Sequence, residues 1–238
     1  MGRVYIVGAG PGDPELITVK GRRLLGQADV LIYVGSLVNP ELVALSPAPE
    51  KFDSWGMKLH EIVGVMEQAV KEGKTVVRLH SGDPSLYGAI VEQMAELEKR
   101  DIQVEIVPGV SSMFAAAAAL KTQLTLRGVS DSVIITRPAG ATLDVDEVRE
   151  LSRLGSTLVI FLGTQHLEQV LNNVECPPDT PAAVVYHASW PDQKVVLGTV
   201  ADLAAKARAA GIEKTALIII GGVVDATHSS FTRSHLYG

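Results

Sequence analysis

Cys176 is the only cysteine in this chain of 238 residues, so no internal disulfide can form and nothing in the sequence calls for an oxidising compartment. Pro177 and Pro178 follow it, which predicts a loop rather than a nucleophile's setting. Aromatic residues are scarce at 5%, and apolar runs such as ALIII, 216–220, fall far short of the ~20 residues a membrane helix needs. Dense basic runs are missing too. The 21 Lys and Arg stand against 27 Asp and Glu, a formal charge of -6 that a nucleic-acid backbone would meet with net repulsion. The first residues, MGRVYIVGAG, enter a strand pattern directly, without the basic segment, long apolar stretch and cleavage site of a secretory leader. Ile6 stands where N-myristoylation needs Ser or Thr. A cytoplasmic protein with neither nucleic-acid nor membrane partners is the simplest expectation. His60, His80, His166, His187, His228 and His235 show no HxxxH or HExxH spacing and join no cysteine cluster, so no protein-bound metal is expected.

What the chain does have is alternation. Val- and Ile-rich runs at 3–8, 30–35, 75–80 and 103–109 are separated by stretches of helical period, as in parallel sheets with crossover helices. In SLYGAIVEQMAELEKR, 85–100, Leu86, Ile90, Met94 and Leu97 fall on one helical face. After SSMFAAAAALK, 111–121, where AAAAAL reads as a small-residue helix packed closely on a neighbour, the pattern restarts. Strands are expected at 132–136, 157–163, 182–188, 194–198 and 216–221, the fourth as an antiparallel edge. The reading is α/β throughout: two tandem α/β domains with mainly parallel sheets, 1–121 and 122–238.

Two turns follow strand-like runs in the first half: GAGPGDP at 8–14 and HSGDPSLYGA at 80–89. A dinucleotide fingerprint needs a third glycine where Asp13 stands and an acid ending the second strand, which here ends in Val34, Gly35 and Ser36. A P-loop is excluded because no Gly-Lys-Ser/Thr closes either turn. Glycine and proline leave main-chain groups open to a ligand in the crevice beyond the strands' carboxyl ends. The acids, Asp13 and Asp83, suit positive charge better than phosphate. GVSSM, 109–113, begins like a nucleophile elbow but lacks its closing glycine.

Taken together, GAGPGDPELITVKG, ADVLIYVGSLV, VVRLHSGDPSLYGAI, VPGVSSMFAAAAAL, SVIITR, LVIFLG, AAVVYHASWPDQ and TALIIIG resemble the tetrapyrrole (corrin and porphyrin) methyltransferases, which use S-adenosylmethionine. The stretches span nearly the whole chain in order. YVGSLV, HSGDPSLYGA, PGVSSMFAAAAALK and HASWPD are most similar to the branch that methylates C11 of precorrin-4 or cobalt-precorrin-4 on the route to vitamin B12. The resemblance implies a homodimer of two-domain α/β subunits, the cofactor folded in the cleft between domains and the macrocycle beside it. In the first half it implies a cofactor pocket lined by Pro11, Gly82, Asp83, Leu86, Ser111 and Ser112. Leu162, Ala188, Thr215 and Ala216 would complete it, with S-adenosylhomocysteine as product. No catalytic residue is implied, because the methyl donor is already a strong electrophile and orientation can carry the reaction.

A tetrapyrrole polycarboxylate needs cations. Lys20, Lys58, His60 and Arg78 are candidates in the first half, with His80. Arg127, Arg137 and His187 are candidates in the second, and Arg127 and Arg137, near the domain junction, are the substrate-binding candidates singled out. Trp190 could stack on a macrocycle or cover the core. Relatives acting on uroporphyrinogen III usually carry Asp where this chain has Val34, Gly at Ser81 and Met at Leu162, which disfavours that substrate. The C-terminal tail, VVDATHSSFTRSHLYG, 223–238, matches only loosely. The first turn alone would also suit a protein-modifying relative such as a diphthine synthase, against which GSLV and HASWPD count. Outside the family, a nicotinamide-dependent oxidoreductase and a noncatalytic adenosyl-ligand sensor remain the alternatives.

Overall fold

A computed structural model describes residues 2–140, 143–225 and 231–233, so His228, His235 and most of the loosely matching tail lie outside the described residues. The chain divides into two compact units, Met1–Ser112 and Met113–Gly238.

The first unit runs β1 (Arg3–Gly8), α1 (Val19–Leu25), β2 (Val30–Tyr33), α2 (Pro40–Ala44), β3 (Glu50–Asp53), α3 (Leu59–Lys71), β4 (Thr75–His80), α4 (Ile90–Glu98) and β5 (Val104–Val107). Its sheet has the order β3-β2-β4-β1-β5, and every pairing is parallel. Parallel strands joined by helical crossovers are covered on both faces, which is why they read as continuous apolar runs. Val7, Leu31, Val77 and Leu79 pack with Leu24 and Leu25 of α1 and Leu42 of α2. Val4, Val30, Ile32 and Val76 face the other way, onto Val63 and Met66 of α3 and Leu97 of α4. Each such side chain contributes about 1.5–3 kcal/mol when fully buried. β3 was not expected from the sequence: EKFD is an edge strand, alternately half-buried and exposed, with no apolar run to announce it.

α4 also differs from its expected extent. Its first residue is Ile90, because residues 85–89 form a loop with left-handed backbone at Tyr87 (φ 53°) and Ala89 (φ 47°). Leu86 therefore sits in that loop, while Ile90 and Leu97 are the buried apolar residues of the helix.

The second unit contains α5 (Ser112–Ala119), β6 (Val133–Thr136), α6 (Val148–Ser152), β7 (Thr157–Ile160), α7 (Leu167–Asn173), β8 (Pro181–Tyr186), β9 (Lys194–Thr199), α8 (Leu203–Ala209) and β10 (Ala216–Ile220). Within α5, Ala115, Ala116 and Ala117 are buried. The sheet order is β6-β7-β10-β8-β9. Here β6 and β7 are parallel, whereas β10 runs antiparallel to both β7 and β8, and β9 pairs antiparallel to β8 as an edge strand. Parallel pairing is thus confined to β6–β7 in this sheet, because the β8–β9 connection is a short turn and α8 then returns the chain to insert β10 between β7 and β8. Leu158, Ile160, Val184, Ile218 and Ile220 form its core with Leu167 and Val170 of α7 and Leu203 of α8. Cys176 packs against this core as a free thiol.

The start of β7 is pinned by polar contacts inside that core. Thr157 is fully buried, its amide donates to Ser130 Oγ at 2.9 Å and its hydroxyl to Leu124 O at 2.8 Å. Thr157→Val keeps the shape and removes the hydroxyl donor, leaving a buried carbonyl unsatisfied at a cost of about 1–3 kcal/mol. The urea midpoint is expected to fall accordingly with the slope of the transition unchanged; an unaltered midpoint would show that this bond carries no net stability.

Candidate functional site

In the first unit, three loops leaving the carboxyl ends of β1, β4 and β5 meet, the first two bonded main chain to main chain and the third packed against both. Gly82 N donates to Gly10 O at 2.8 Å, Gly10 N to Gly82 O at 3.2 Å and Ala9 N to His80 O at 2.7 Å. The two glycine turns found in the sequence are therefore partners in an isolated antiparallel bridge. The loop after β5 closes the set: a Cβ on Gly109 would lie 2.2 Å from Gly82 O, and one on Gly8 would lie 2.5 Å from Gly109 Cα. Only residues without side chains permit this approach. The glycines thus serve loop-to-loop contact first. The N–H and C=O groups of Gly10 and Gly82 are paired with one another.

The acids of the two turns are also engaged. Asp13 Oδ1 accepts from Glu15 N at 2.9 Å and caps the short 3-10 turn Pro14–Leu16. Asp83 Oδ1 accepts from Ser85 N at 2.8 Å and from the Ser85 hydroxyl, and its Oδ2 accepts from Gly109 N at 2.8 Å. Burial pushes the Asp83 carboxyl up, but these hydrogen bonds and the His80 ring outweigh it and hold the group below the usual carboxylate range. Asp83 is thus a fixed negative charge among the loops. Ser111, buried, and Ser112 follow directly. Pro11, Gly82, Asp83, Leu86 and Ser111 accordingly all lie in the loops at this one edge of the sheet, and Ser112 is the first residue of α5.

His80, at the end of β4, spans the loop it precedes. Its Nδ1 lies 3.0 Å from Ser81 O and its Nε2 3.1 Å from Gly88 O. A neutral imidazole has one N–H and can satisfy one of these carbonyls. Gly88 is required here, since a Cβ would fall 2.2 Å from Pro84 O and 3.0 Å from His80 Nε2.

In the second unit, four non-glycine residues with left-handed backbone gather at one edge: Leu162 (φ 57°) beyond β7, His187 (φ 46°) and Ser189 (φ 74°) beyond β8, and Thr215 (φ 56°) just before the antiparallel β10. The edge is tied together by His187 N to Thr215 O at 3.4 Å and Thr164 Oγ1 to Ala216 O at 2.8 Å. Left-handed conformations at ordinary residues are costly and concentrate at functional sites. Leu162, Ala188, Thr215 and Ala216 all fall at this edge, and Leu162 remains 64% exposed for so apolar a side chain. His187 stacks on Tyr186 at 3.8 Å between ring centroids, approaches Trp190 at 5.1 Å and bonds Asp192 through Nδ1 at 2.9 Å.

Of the other candidate cations, Lys20 pairs with Glu105, and Arg127 Nη1 donates to Arg233 O at 3.1 Å. Arg137, directly after β6, is half-buried. Among the described residues no three His, Cys, Asp or Glu side chains cluster as metal ligands would, and no helix is long and apolar enough to cross a membrane. The strained backbone at Leu162, His187, Ser189 and Thr215 left no signal in sequence pattern, because none is a residue type that favours φ above zero except weakly histidine.

Burial, the largest influence, together with the Arg78 charge lowers the His80 pKa below 6.5, against the opposing pull of Ser81 O, Gly88 O and Asp83. A depressed folded-state value means stability present above the unfolded pKa of about 6.5 and lost as pH falls through the lower folded value. The thermal midpoint is expected to drop between pH 7 and pH 5 and to drop less in His80→Gln. Equal pH dependence in both proteins would contradict this assignment.

Residues 3–204 match the family model described as Tetrapyrrole (Corrin/Porphyrin) Methylases. A Methanocaldococcus jannaschii protein named cobalt-precorrin-4 C(11)-methyltransferase is 52% identical over 237 residues, covering 97% of this chain and 92% of that one. The crystal structure of a cobalt-precorrin-4 methyltransferase superposes with a TM-score of 0.90 at 46% identity, covering 94% of this chain and 96% of the other. A uroporphyrin-III C-methyltransferase from Thermus thermophilus, solved in complex with S-adenosylhomocysteine, gives 0.81 at 33% identity, with 94% and 99% covered. The order of motifs, the three tied loops of the first sheet and these likenesses agree: the chain belongs to the tetrapyrrole methylase family.

Proposed function

We propose that the protein transfers a methyl group from S-adenosylmethionine to C11 of precorrin-4 or its cobalt complex, giving the precorrin-5 stage of cobalamin synthesis and S-adenosylhomocysteine. The observation that carries this reading is the likeness, across nearly the whole chain, to proteins named for that reaction. The lower identity to a uroporphyrin-III enzyme speaks for the same choice.

The residues present fit the cofactor. Pro11, Gly82, Asp83, Leu86, Ser111 and Ser112 are assigned to it in the first unit, and Leu162, Ala188, Thr215 and Ala216 in the second. Supporting this are the fixed carboxylate of Asp83, complementary to a cationic ligand, and the exposed apolar Leu162 on left-handed backbone. When bound, S-adenosylmethionine supplies a methyl group on a positively charged sulfur. The chain's part is to align that group with an electron-rich ring carbon and to exclude water. Alignment of this kind can lower a barrier by roughly 7–11 kcal/mol, so no dedicated base is assigned. Arg127 and Arg137 are assigned to the carboxylates of the macrocycle. A homodimer working in the cytoplasm completes the proposal, and sedimentation equilibrium at twice the chain mass is the expected result for it.

The test is incubation with S-adenosylmethionine and precorrin-4, with and without cobalt, followed by mass spectrometry and NMR of the tetrapyrrole. One added methyl at C11 is expected, and the faster reaction identifies the natural metal state. Cofactor binding with no methyl gain in either form would favour the sensor reading instead. Arg137→Ala is expected to raise KM for the tetrapyrrole about tenfold, equivalent to about 1.4 kcal/mol; unchanged constants would remove Arg137 from the site.

A further inference from the structure

Arg78 is a charge in the wrong place for a structural residue. It lies on β4, the central strand of the first sheet, in register with Ile6 on one neighbour and Ile32 on the other, both fully buried. Its side chain faces the side occupied by Ile32, Val76 and α3, and the residue is only 5% exposed. For five N–H donors the structure offers little: Nη1 reaches Leu79 O at a long 3.3 Å, and Nε has no hydrogen-bond partner. Asp53, the last residue of β3, attracts the guanidinium without an ion pair being formed among the described residues. One of its two oxygens is occupied, with Oδ1 accepting from Gly35 N at 3.0 Å and Trp55 N at 2.9 Å. A buried charge so poorly compensated is destabilising, and replacing such groups by apolar ones of similar volume is often neutral or favourable. An acceptor arriving from outside would complete its hydrogen bonds.

The surroundings say where that acceptor comes from. The Nη1 contact to the following residue's carbonyl directs the guanidinium along β4 toward its carboxyl end. The charges it senses, Asp53 and His80, terminate β3 and β4 at the edge that carries the tied loops. Between them lies the exit of β2, where Gly35 packs so closely on Asp53 that a Cβ would fall 2.3 Å from its Oδ2. An arginine fork is suited to a planar carboxylate.

We propose that Arg78 anchors a carboxylate of the tetrapyrrole at the carboxyl end of the first sheet, completing the guanidinium's hydrogen bonds when substrate binds. This rests on the functional reading above and adds to it an anchor that surface charge would not reveal. The competing arrangement is an internal water on Nε, which would make Arg78 a purely structural group.

The experiment compares wild type, Arg78→Met and Arg78→Lys in three measurements: the thermal midpoint, calorimetric affinity for S-adenosylhomocysteine, and spectroscopic affinity for cobalt-precorrin-4. In Arg78→Met the midpoint is expected to hold or rise, S-adenosylhomocysteine Kd to stay within twofold and tetrapyrrole Kd to rise at least tenfold. Arg78→Lys, keeping the charge without the fork, is expected to fall between the two. Unchanged tetrapyrrole affinity in Arg78→Met would overturn the proposal. So would a fall in midpoint accompanied by equal weakening for both ligands, the signature of the internal-water arrangement; were the Met variant not to fold, Arg78→Lys with wild-type tetrapyrrole affinity would overturn it as well. Wild-type protein that binds S-adenosylhomocysteine but no tetrapyrrole would instead remove the functional reading itself.

Discussion

The contact on which the first unit's site depends is backbone against backbone. Gly8, Gly82 and Gly109 come so close that a single added carbon at Gly8 or Gly109 would overlap main-chain atoms. This closeness lets the bridge between Gly10 and Gly82 form and brings Gly109 N within 2.8 Å of Asp83 Oδ2. Three loops that follow strands far apart in sequence thus become one surface. The parallel sheet beneath supplies the geometry, because β1, β4 and β5 end together on one edge.

Each unit gathers, at one edge of its own sheet, features that oppose stability. Tyr87 and Ala89 hold left-handed backbone beside the β4 loop, and Leu162, His187, Ser189 and Thr215 do so at one edge of the second sheet. His80 faces two carbonyls with a ring that burial holds toward its neutral form. Local rules fail together where a protein is shaped for a ligand rather than for its own stability. Elsewhere the same chain obeys those rules, with helix caps at Thr18 and Asn39 and two well-filled apolar faces on the first sheet.

Much of this was legible in the sequence. Strands at 3–8 and 75–80 match β1 and β4 because fully buried parallel strands are apolar on both faces, and the two turns were visible because glycine and proline are rare in element interiors. The family was legible from the order of several motifs, and the match over residues 3–204 agrees. Other features were hidden for physical reasons. EKFD is a half-exposed edge strand with a charged majority, so it lacks the apolar signal. The late start of α4 depends on His80 reaching Gly88 O across the loop, a tertiary contact that overrides a good helical pattern. β10 is as apolar as a parallel strand, and its direction follows from the β8–β9 turn and the return through α8 rather than from its own residues. Arg78 stood among several candidate cations, and only its burial and its unpaired Nε set it apart.

The tied loops of the first sheet are proposed as part of the cofactor site. A crystal structure with S-adenosylhomocysteine tests this most directly. The account predicts density for the adenosyl group against Gly82, Asp83 and Ser111, with the Gly10–Gly82 bridge intact. Well-defined density away from these residues, or loops that part to admit the ligand, would contradict it.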